Sequence, residues 1–299
     1  MTITQHSFAA FIMTFQRNET LESTIKIILE QSVSPQKVVI VDNDPSQGAK
    51  IVAEKFNDLP VEYYSVGYNS GPAGAAKLGL EVLSAEGYEW IAWIDDDDPP
   101  IFKNTFEVLL KLGSENNQCG CVGVVGQRFN SKTGLMLRVP DYELEGEGYI
   151  QVDNIAGGMC KIVNASVVNK CNILPDEKLF YGFEELDFDL RLQTAGYVLL
   201  VDKNLYRKHR IHFNRSGVNL QRGQKKPKNR LWREYYSTRN CLIILYKLKL
   251  YRALFNSVLR FNLKMIAGFR FGFSYGVKNF KYVSKGIVHF LLNQKGSFF

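Results

Sequence analysis

Four apolar runs near the start of the chain set the terms for any fold: FAAFIMTF (8–15), KVVIVDN (37–43), VEYYSV (61–66) and EWIAWI (89–94). Each is too short for a self-sufficient helix, and most of their positions are apolar, as in a strand covered on both faces. Segments with helical spacing separate them, over Glu19 to Ser32, Gln47 to Phe56, and Gly71-Pro72 to Glu86. Strands alternating with helices of this length predict βαβ units and a mainly parallel sheet. Such a sheet binds ligands beyond the carboxyl ends of its strands. Thr14-Phe15-Gln16-Arg17, Asp42-Asn43-Asp44 and Asp95 to Asp98 all fall at those ends. Three polar strand ends on one edge predict a site.

The last of these ends is the most demanding. In WIAWIDDDDPP (90–100) an apolar run meets four consecutive carboxylates and stops at two prolines. Adjacent like charges repel, so the cluster costs stability unless positive charge sits beside it. Alternate side chains of an extended segment share a direction. Hard cations such as Mn2+ or Mg2+ accept one or two carboxylates and share their other positions with phosphate oxygens. The plainer alternative is an acidic turn that caps the next helix.

Other positions admit two readings as well. Asp42 either meets a base or ribose, or caps the helix after it. NSGPAG (69–74) permits close backbone approach and presents a helix N-terminus suited to phosphate. Glu184-Glu185-Leu186-Asp187 either complements the dipole of the helix it opens or supplies a general base. That helix, EELDFDLRLQTAGY (184–197), turns Leu186, Leu190 and Leu192 inward and stops at Gly196. CVGVVGQRF and GLMLRV read as two further strands. His209 and His212 lie in a basic segment that reads as a strand, either as structural residues or as an imidazole ligand for a metal.

Charge divides the chain. Residues 1–202 hold 15 Lys/Arg against 29 Asp/Glu, whereas residues 203–299 hold 22 Lys/Arg and one acid, Glu234. The basic, proline-containing stretch RGQKKPKNR (222–230) reads as a boundary, giving a body over 1–221 and a mainly helical basic region over 222–299. A basic tail predicts a polyanionic partner: a membrane surface, a nucleic acid or a phosphorylated ligand. Its aromatics recur at helical spacing, which suits a core or a membrane face better than a base-stacking platform. Neither a membrane-crossing run of about 18 uncharged apolar residues nor a basic leader is expected. The cysteines (119, 121, 160, 171 and 241) are odd in number and scattered, which points to a reducing compartment. Cys119-Gly120-Cys121 lacks the second pair that a zinc site needs.

Taken in order, TFQRNETL, VVIVDND, NSGPAGA, GYEWIAWIDDDDPP, FYGFEELDFDLRLQTAGY and REYYSTRN resemble family 2 glycosyltransferases of the GT-A fold, in the bacterial rhamnosyltransferase and galactofuranosyltransferase branch. The likeness runs over roughly residues 8–240. It implies an α/β GT-A fold, a Rossmann-like mixed and mainly parallel sheet flanked by helices, with a C-terminal helical basic region. It also implies inverting, metal-dependent transfer of rhamnose, galactofuranose or a similar hexose from a UDP- or dTDP-sugar. The acceptor would be a hydroxyl of a glycan or lipid-linked glycan, met by a cytoplasmic enzyme peripheral to the inner face of the plasma membrane.

Carried over by position, Thr14, Phe15, Arg17 and Asp42 would hold the nucleoside, with Asn69 and Gly71 beside it. Asp95 and Asp97 match the family's Asp-x-Asp motif, Asp97 on Mn2+ or Mg2+ and Asp95 on ribose, metal or both. The frame Asp96/Asp98 is the alternative, and Asp96 counts among the donor-binding residues. Pro100 favours the first frame. Glu185 falls at the base position, with Glu184 as its rival. His212 resembles the metal-ligand histidine better than His209 does, and Arg239-Asn240 is placed near the diphosphate. Two other readings compete: a nucleic-acid-binding protein that uses the basic tail, and a nucleotidyltransferase. The latter needs a phosphate loop rich in lysine and glycine after the first strand, and TFQRNET is not one.

Overall fold

The computed structural model describes residues 7–156, 160–218 and 225–298. The first part alternates as expected: β1 (Phe8–Thr14), α1 (Asn18–Leu29), β2 (Val38–Asp42), α2 (Lys50–Ala53), β3 (Val61–Ser65), α3 (Gly71–Ala85), β4 (Trp90–Asp95) and α4 (Thr105–Ser114). There follow β5 (Cys119–Gly123), β6 (Gly126–Asn130), β7 (Leu135–Arg138), β8 (Tyr149–Val152), β9 (Asn154–Ile155), β10 (Lys161–Asn164) and α5 (Ser166–Asn169). The rest comprises α6 (Glu184–Thr194), β11 (Val198–Asp202), α7 (Lys203–His212), α8 (Arg233–Lys247), α9 (Tyr251–Ala267) and α10 (Phe273–Leu291).

The main sheet runs β3-β2-β1-β4-β10-β5-β11-β8. β3, β2, β1 and β4 are parallel neighbours, and β10 enters antiparallel between β4 and β5. Alternation along β1 divides the core. Phe8, Ala10 and Ile12 face one layer with Leu21, Ile25 and Ile28 of α1 and Phe106 of α4. Ala9, Phe11 and Met13 face the other with Leu80 and Leu83 of α3 and Phe188 of α6. Burial on both sides explains why these strands read as unbroken apolar runs. Cys119 packs in the first layer and Cys121 in the second, so the two thiols face opposite ways.

β10 was not expected from the sequence, because it opens on a lysine. Lys161 is fully buried and donates to the carboxylate of Asp189, on α6. Asp189 also accepts from Asn154 Nδ2 at 2.9 Å and from the Ile155 amide at 2.8 Å. The Lys161 ammonium lies 5.0 Å from the ring centres of both Trp93 and Phe188. A buried charge is tolerated when paired and hydrogen-bonded in this way.

The segment holding His209 and His212 is a helix, which corrects the strand reading. Asp202 caps α7 by accepting from the Leu205 amide at 2.7 Å. Leu205, Tyr206, His209 and Arg210 then bury one helical face.

The boundary expected at 221/222 falls outside the described residues. Beyond it, α8 is fastened to the body rather than set apart from it: Ile243 and Ile244 share a core cluster with Leu179, Leu186 and Leu190. Arg239 and Asn240 are fully buried. Arg239 donates to Tyr235 Oη, Gly296 O, Asn240 Oδ1 and Leu179 O, and Asn240 Nδ2 reaches the carbonyls of Leu179, Tyr181 and Gly182 at 2.8–3.0 Å. This corrects the placement of Arg239 beside a diphosphate, since its guanidinium is spent on internal acceptors. The two residues clamp a loop held in left-handed backbone, with φ of 63° at Phe180, 74° at Gly182 and 71° at Phe183. Such angles persist only when the surroundings impose them. Asn240→Ala should therefore lower stability by about 2 kcal/mol in urea unfolding, the cost of stripping buried carbonyls of their donor. An unchanged midpoint would show that the clamp is idle.

Candidate active site

A cleft of about 870 Å3 opens beyond the carboxyl ends of β1, β2 and β4. Thr14, Phe15, Arg17, Asn69, Gly71, Asp95, Asp96 and Asp97 line it, as do Asn43, Phe180, Tyr181, Trp232, Arg233 and Ser297. The interlock at Gly71 shapes its floor. Gly71 has φ +69°, and a Cβ there would come within 2.1 Å of the Phe180 carbonyl oxygen. The clamped loop thus sits directly on the first turn of α3. Asn69 Oδ1 accepts from the Gly71 amide at 3.0 Å and closes the preceding turn.

The acids at the end of β4 take separate positions. Asp96 is buried, accepting from Thr14 Oγ1 at 2.8 Å and from Arg17 Nη1 at 2.9 Å. Its backbone carbonyl accepts from Thr24 Oγ1 at 2.8 Å, which locks the acidic run to α1. Asp97 is exposed and shares Arg17. Asp95 keeps part of its surface open at the cleft floor, yet burial, followed by the charges of Glu185, Asp97, Asp96 and Asp98, pushes its carboxyl up to about 8. Arg17, paired with Asp96 and Asp97, also feels the charge of Asp95. Asp98 turns into a smaller cleft of about 270 Å3 lined also by Asp97, His209, Phe213 and Arg215, where burial and Asp97 raise it to about 6.

The two glutamates that open α6 part company. Glu184 is buried, its Oε2 has no hydrogen-bond partner, and burial together with Glu185 holds its carboxyl well above the usual range. Glu185 is half-buried and close enough to bear on Asp95. Across the cleft stands an aromatic wall, with Tyr181 4.8 Å from Trp232 and Phe180 stacked on Tyr236 at 5.4 Å. Arg233 lies over Tyr181 and Trp232 at 5.3 and 5.5 Å, and its Nε is buried without a hydrogen-bond partner. Sequence reading missed this wall and Arg233. The only signal was REYYSTRN, whose conspicuous Arg-Asn pair points inward instead.

Two expected residues lie elsewhere. Asp42 is fully buried and does not line the cleft; its carboxylate accepts from the amides of Asp44 (2.8 Å) and Ala49 (3.2 Å) and from Tyr63 Oη (2.9 Å). Asp42 does not cap α2 either, whose N-cap position is Ala49; it braces the turn between β2 and α2 from within, and Asn43 is the neighbour that faces the cleft. His212 is exposed and packs edge-on against Phe102. His209 is the histidine beside Asp97 and Asp98, and burial, then Arg215, lowers its imidazole to about 4, so it is neutral at pH 7. The helical geometry of α7 turns His209 inward and leaves His212 at the surface. Among the described residues, no three His, Cys, Asp or Glu side chains gather as a metal cluster. Two crowded carboxylates nevertheless suit a hard cation whose remaining ligands come from phosphate or water.

Comparison with known proteins settles the family. Residues 9–166 match glycosyl transferase family 2, more than half of the chain. The chain belongs to glycosyl transferase family 2. It is 25% identical over 199 residues to galactofuranosyltransferase GlfT1 of Mycolicibacterium smegmatis, covering 62% of this chain and 65% of that protein. It is 26% identical over 143 residues to a GalNAc(5)-diNAcBac-PP-undecaprenol beta-1,3-glucosyltransferase of Campylobacter jejuni, covering 47% of this chain and 42% of the relative. The chain thus spans less than two thirds of these relatives. In fold it is similar to mannosyltransferase PcManGT of Pyrobaculum calidifontis in complex with GDP-Man and Mn2+, with TM-score 0.57 and 12% identity over 96% of this chain and 88% of the other. It is also similar to S. aureus TarS in complex with UDP, with TM-score 0.51 and 14% identity over 96% and 92%. The architecture is the GT-A fold, as the motif order implied.

The strain at Asp95 carries a sign. A carboxyl that binds its proton more tightly folded than unfolded favours folding at low pH and loses that contribution as pH rises through about 8. In metal-free buffer, Asp95→Asn should therefore gain on the wild type in urea midpoint between about pH 5 and about pH 8.5. Parallel pH profiles would show that Asp95 is not strained.

Proposed function

We propose that this chain transfers a sugar from a nucleoside diphosphate donor to an acceptor hydroxyl with inversion at the anomeric carbon. The observation that carries the reading is the excess of negative charge at the end of β4. Asp95, Asp96, Asp97 and Glu185 crowd together at a cleft that holds Arg17 and Arg233 as its cations. The donor is a UDP- or dTDP-sugar carrying galactofuranose, rhamnose or a similar hexose. Support comes from the galactofuranosyltransferase relatives and from a structural neighbour that holds UDP.

In this reading Phe15, Asn43, Asn69 and Gly71 receive the nucleoside at the ends of β1 and β2, beside Thr14. Thr14 and Arg17 also hold Asp96 in place. Asp95 and Asp97 would hold Mn2+ or Mg2+, with His209 beside Asp97 in the adjoining cleft, and the cation would supply positive charge against the departing diphosphate. Arg233 meets the same charge from the aromatic wall. Glu185 takes the proton of the acceptor hydroxyl as its oxygen attacks the anomeric carbon and the bond to the diphosphate breaks. Glu184 is buried, with its carboxyl held well above the usual range, whereas Glu185 is only half-buried and lies close enough to bear on Asp95. The acceptor is a glycan or a lipid-linked glycan at the cytoplasmic face of the plasma membrane.

The test is product analysis with UDP- and dTDP-sugars, with and without Mn2+. Release of UDP or dTDP that EDTA abolishes is expected. Inorganic pyrophosphate as product, or full activity in EDTA, would overturn the reading. Glu185→Gln should cut turnover by about 10^2 to 10^4 while leaving nucleotide affinity within about two-fold. Equal losses in Glu184→Gln and Glu185→Gln would undo the division of roles. Arg233→Ala should weaken UDP binding by about ten-fold, the share of one charge-assisted contact. Unaltered affinity would remove Arg233 from the donor site.

A further inference from the structure

Helix α9 is apolar on two opposite sides. Ala253, Ser257 and Phe261 are buried. On the far side Tyr251, Phe255, Leu259, Leu263 and Ile266 form a row that is 50–69% exposed. A surface helix of a water-soluble protein carries polar residues there. α10 repeats the pattern: Phe273, Val277 and Phe280 face outward, Phe273 at 79% exposure, while Asn279, Val283 and Gly286 are buried. Lys278, Lys281 and Lys285 run alongside that outer row on the same helix.

The charge around these rows has one sign. Residues 203–299 contain a single acid, Glu234, and it is buried between the ammonium groups of Lys226 and Lys264. Among the described residues of this region, no acidic side chain reaches the surface. We propose that the outer faces of α9 and α10 lie on an anionic lipid bilayer. The apolar rows enter the boundary between headgroups and acyl chains, and the lysines meet lipid phosphates. A second copy that meets this face with its own is a poor occupant, since it would set like charge against like. Among the described residues, no helix is long and apolar enough to cross a membrane, so the contact is a surface one. The inference stands apart from the transferase reading: either can fail without the other.

Vesicle flotation with the full chain tests it. The wild type should float with phosphatidylcholine vesicles containing about 30% phosphatidylglycerol, and weakly with phosphatidylcholine alone or at about 0.5 M salt. The pair Phe255→Asp and Leu263→Asp should weaken vesicle affinity by about ten-fold or more. Lys278→Glu with Lys281→Glu should do the same, and Tyr142→Asp, at an exposed site in the body, should not. Thermal unfolding checks that each variant is folded. Wild-type protein that stays out of the anionic vesicle fraction would overturn the proposal, as would double variants that float as well as the wild type. A concentration-dependent dimer that Phe255→Asp dissolves, without vesicle binding, would also overturn it and give the surface to a second copy.

Discussion

Negative charge at the end of β4 is the constraint that the rest of this structure serves. Asp95 to Asp98 follow a strand fully buried from Trp90 to Ile94, so they cannot spread apart. Asp96 is tied down by Thr14, Arg17 and, through its backbone, Thr24. That leaves Asp95 and Asp97 directed at the cleft, with Glu185 approaching from α6. Like charges held this close raise one another's proton affinity or recruit a counter-ion. A site that stores such repulsion costs stability and is ready to take a cation together with the anion it carries.

The opposite wall depends on a different device. The loop over 179–183 takes left-handed backbone at three positions and rests on the glycine that opens α3. Arg239 and Asn240 supply the buried donors that hold it there, so α8 determines the shape of a cleft whose acids come from the first hundred residues. Tyr181 and Trp232 meet across this junction, and Ser297 reaches the cleft from far along the chain. The basic helical region is therefore both part of the cleft wall and the carrier of an outward apolar surface.

Much of this was legible in the residues, for identifiable reasons. β1, β2 and β4 are buried on both faces, so their apolar runs and the polar residues ending them stood out. α6 showed its inward leucines plainly. Legibility failed where a polar residue turns inward. Lys161 disguises a central strand because Asp189 neutralises it. Asp42 and Arg239 look like ligands at strand and helix positions that ligands favour, but both are consumed by buried backbone groups and side chains. His212 was preferred to His209 for its likeness in position to the family's metal-ligand histidine, which says nothing of which side of a helix each occupies. An Asp202 cap and burial at helical spacing put His209 inside instead. Arg233 and the aromatic wall depend on contacts between distant segments, which no local pattern carries.

The most direct measurement of the central claim is anomalous scattering at the manganese edge from crystals grown with Mn2+ and UDP. The account predicts one peak at the end of β4, between the carboxylates of Asp95 or Asp97 and the diphosphate. Nucleotide bound in the cleft with no manganese peak at those carboxylates would contradict it.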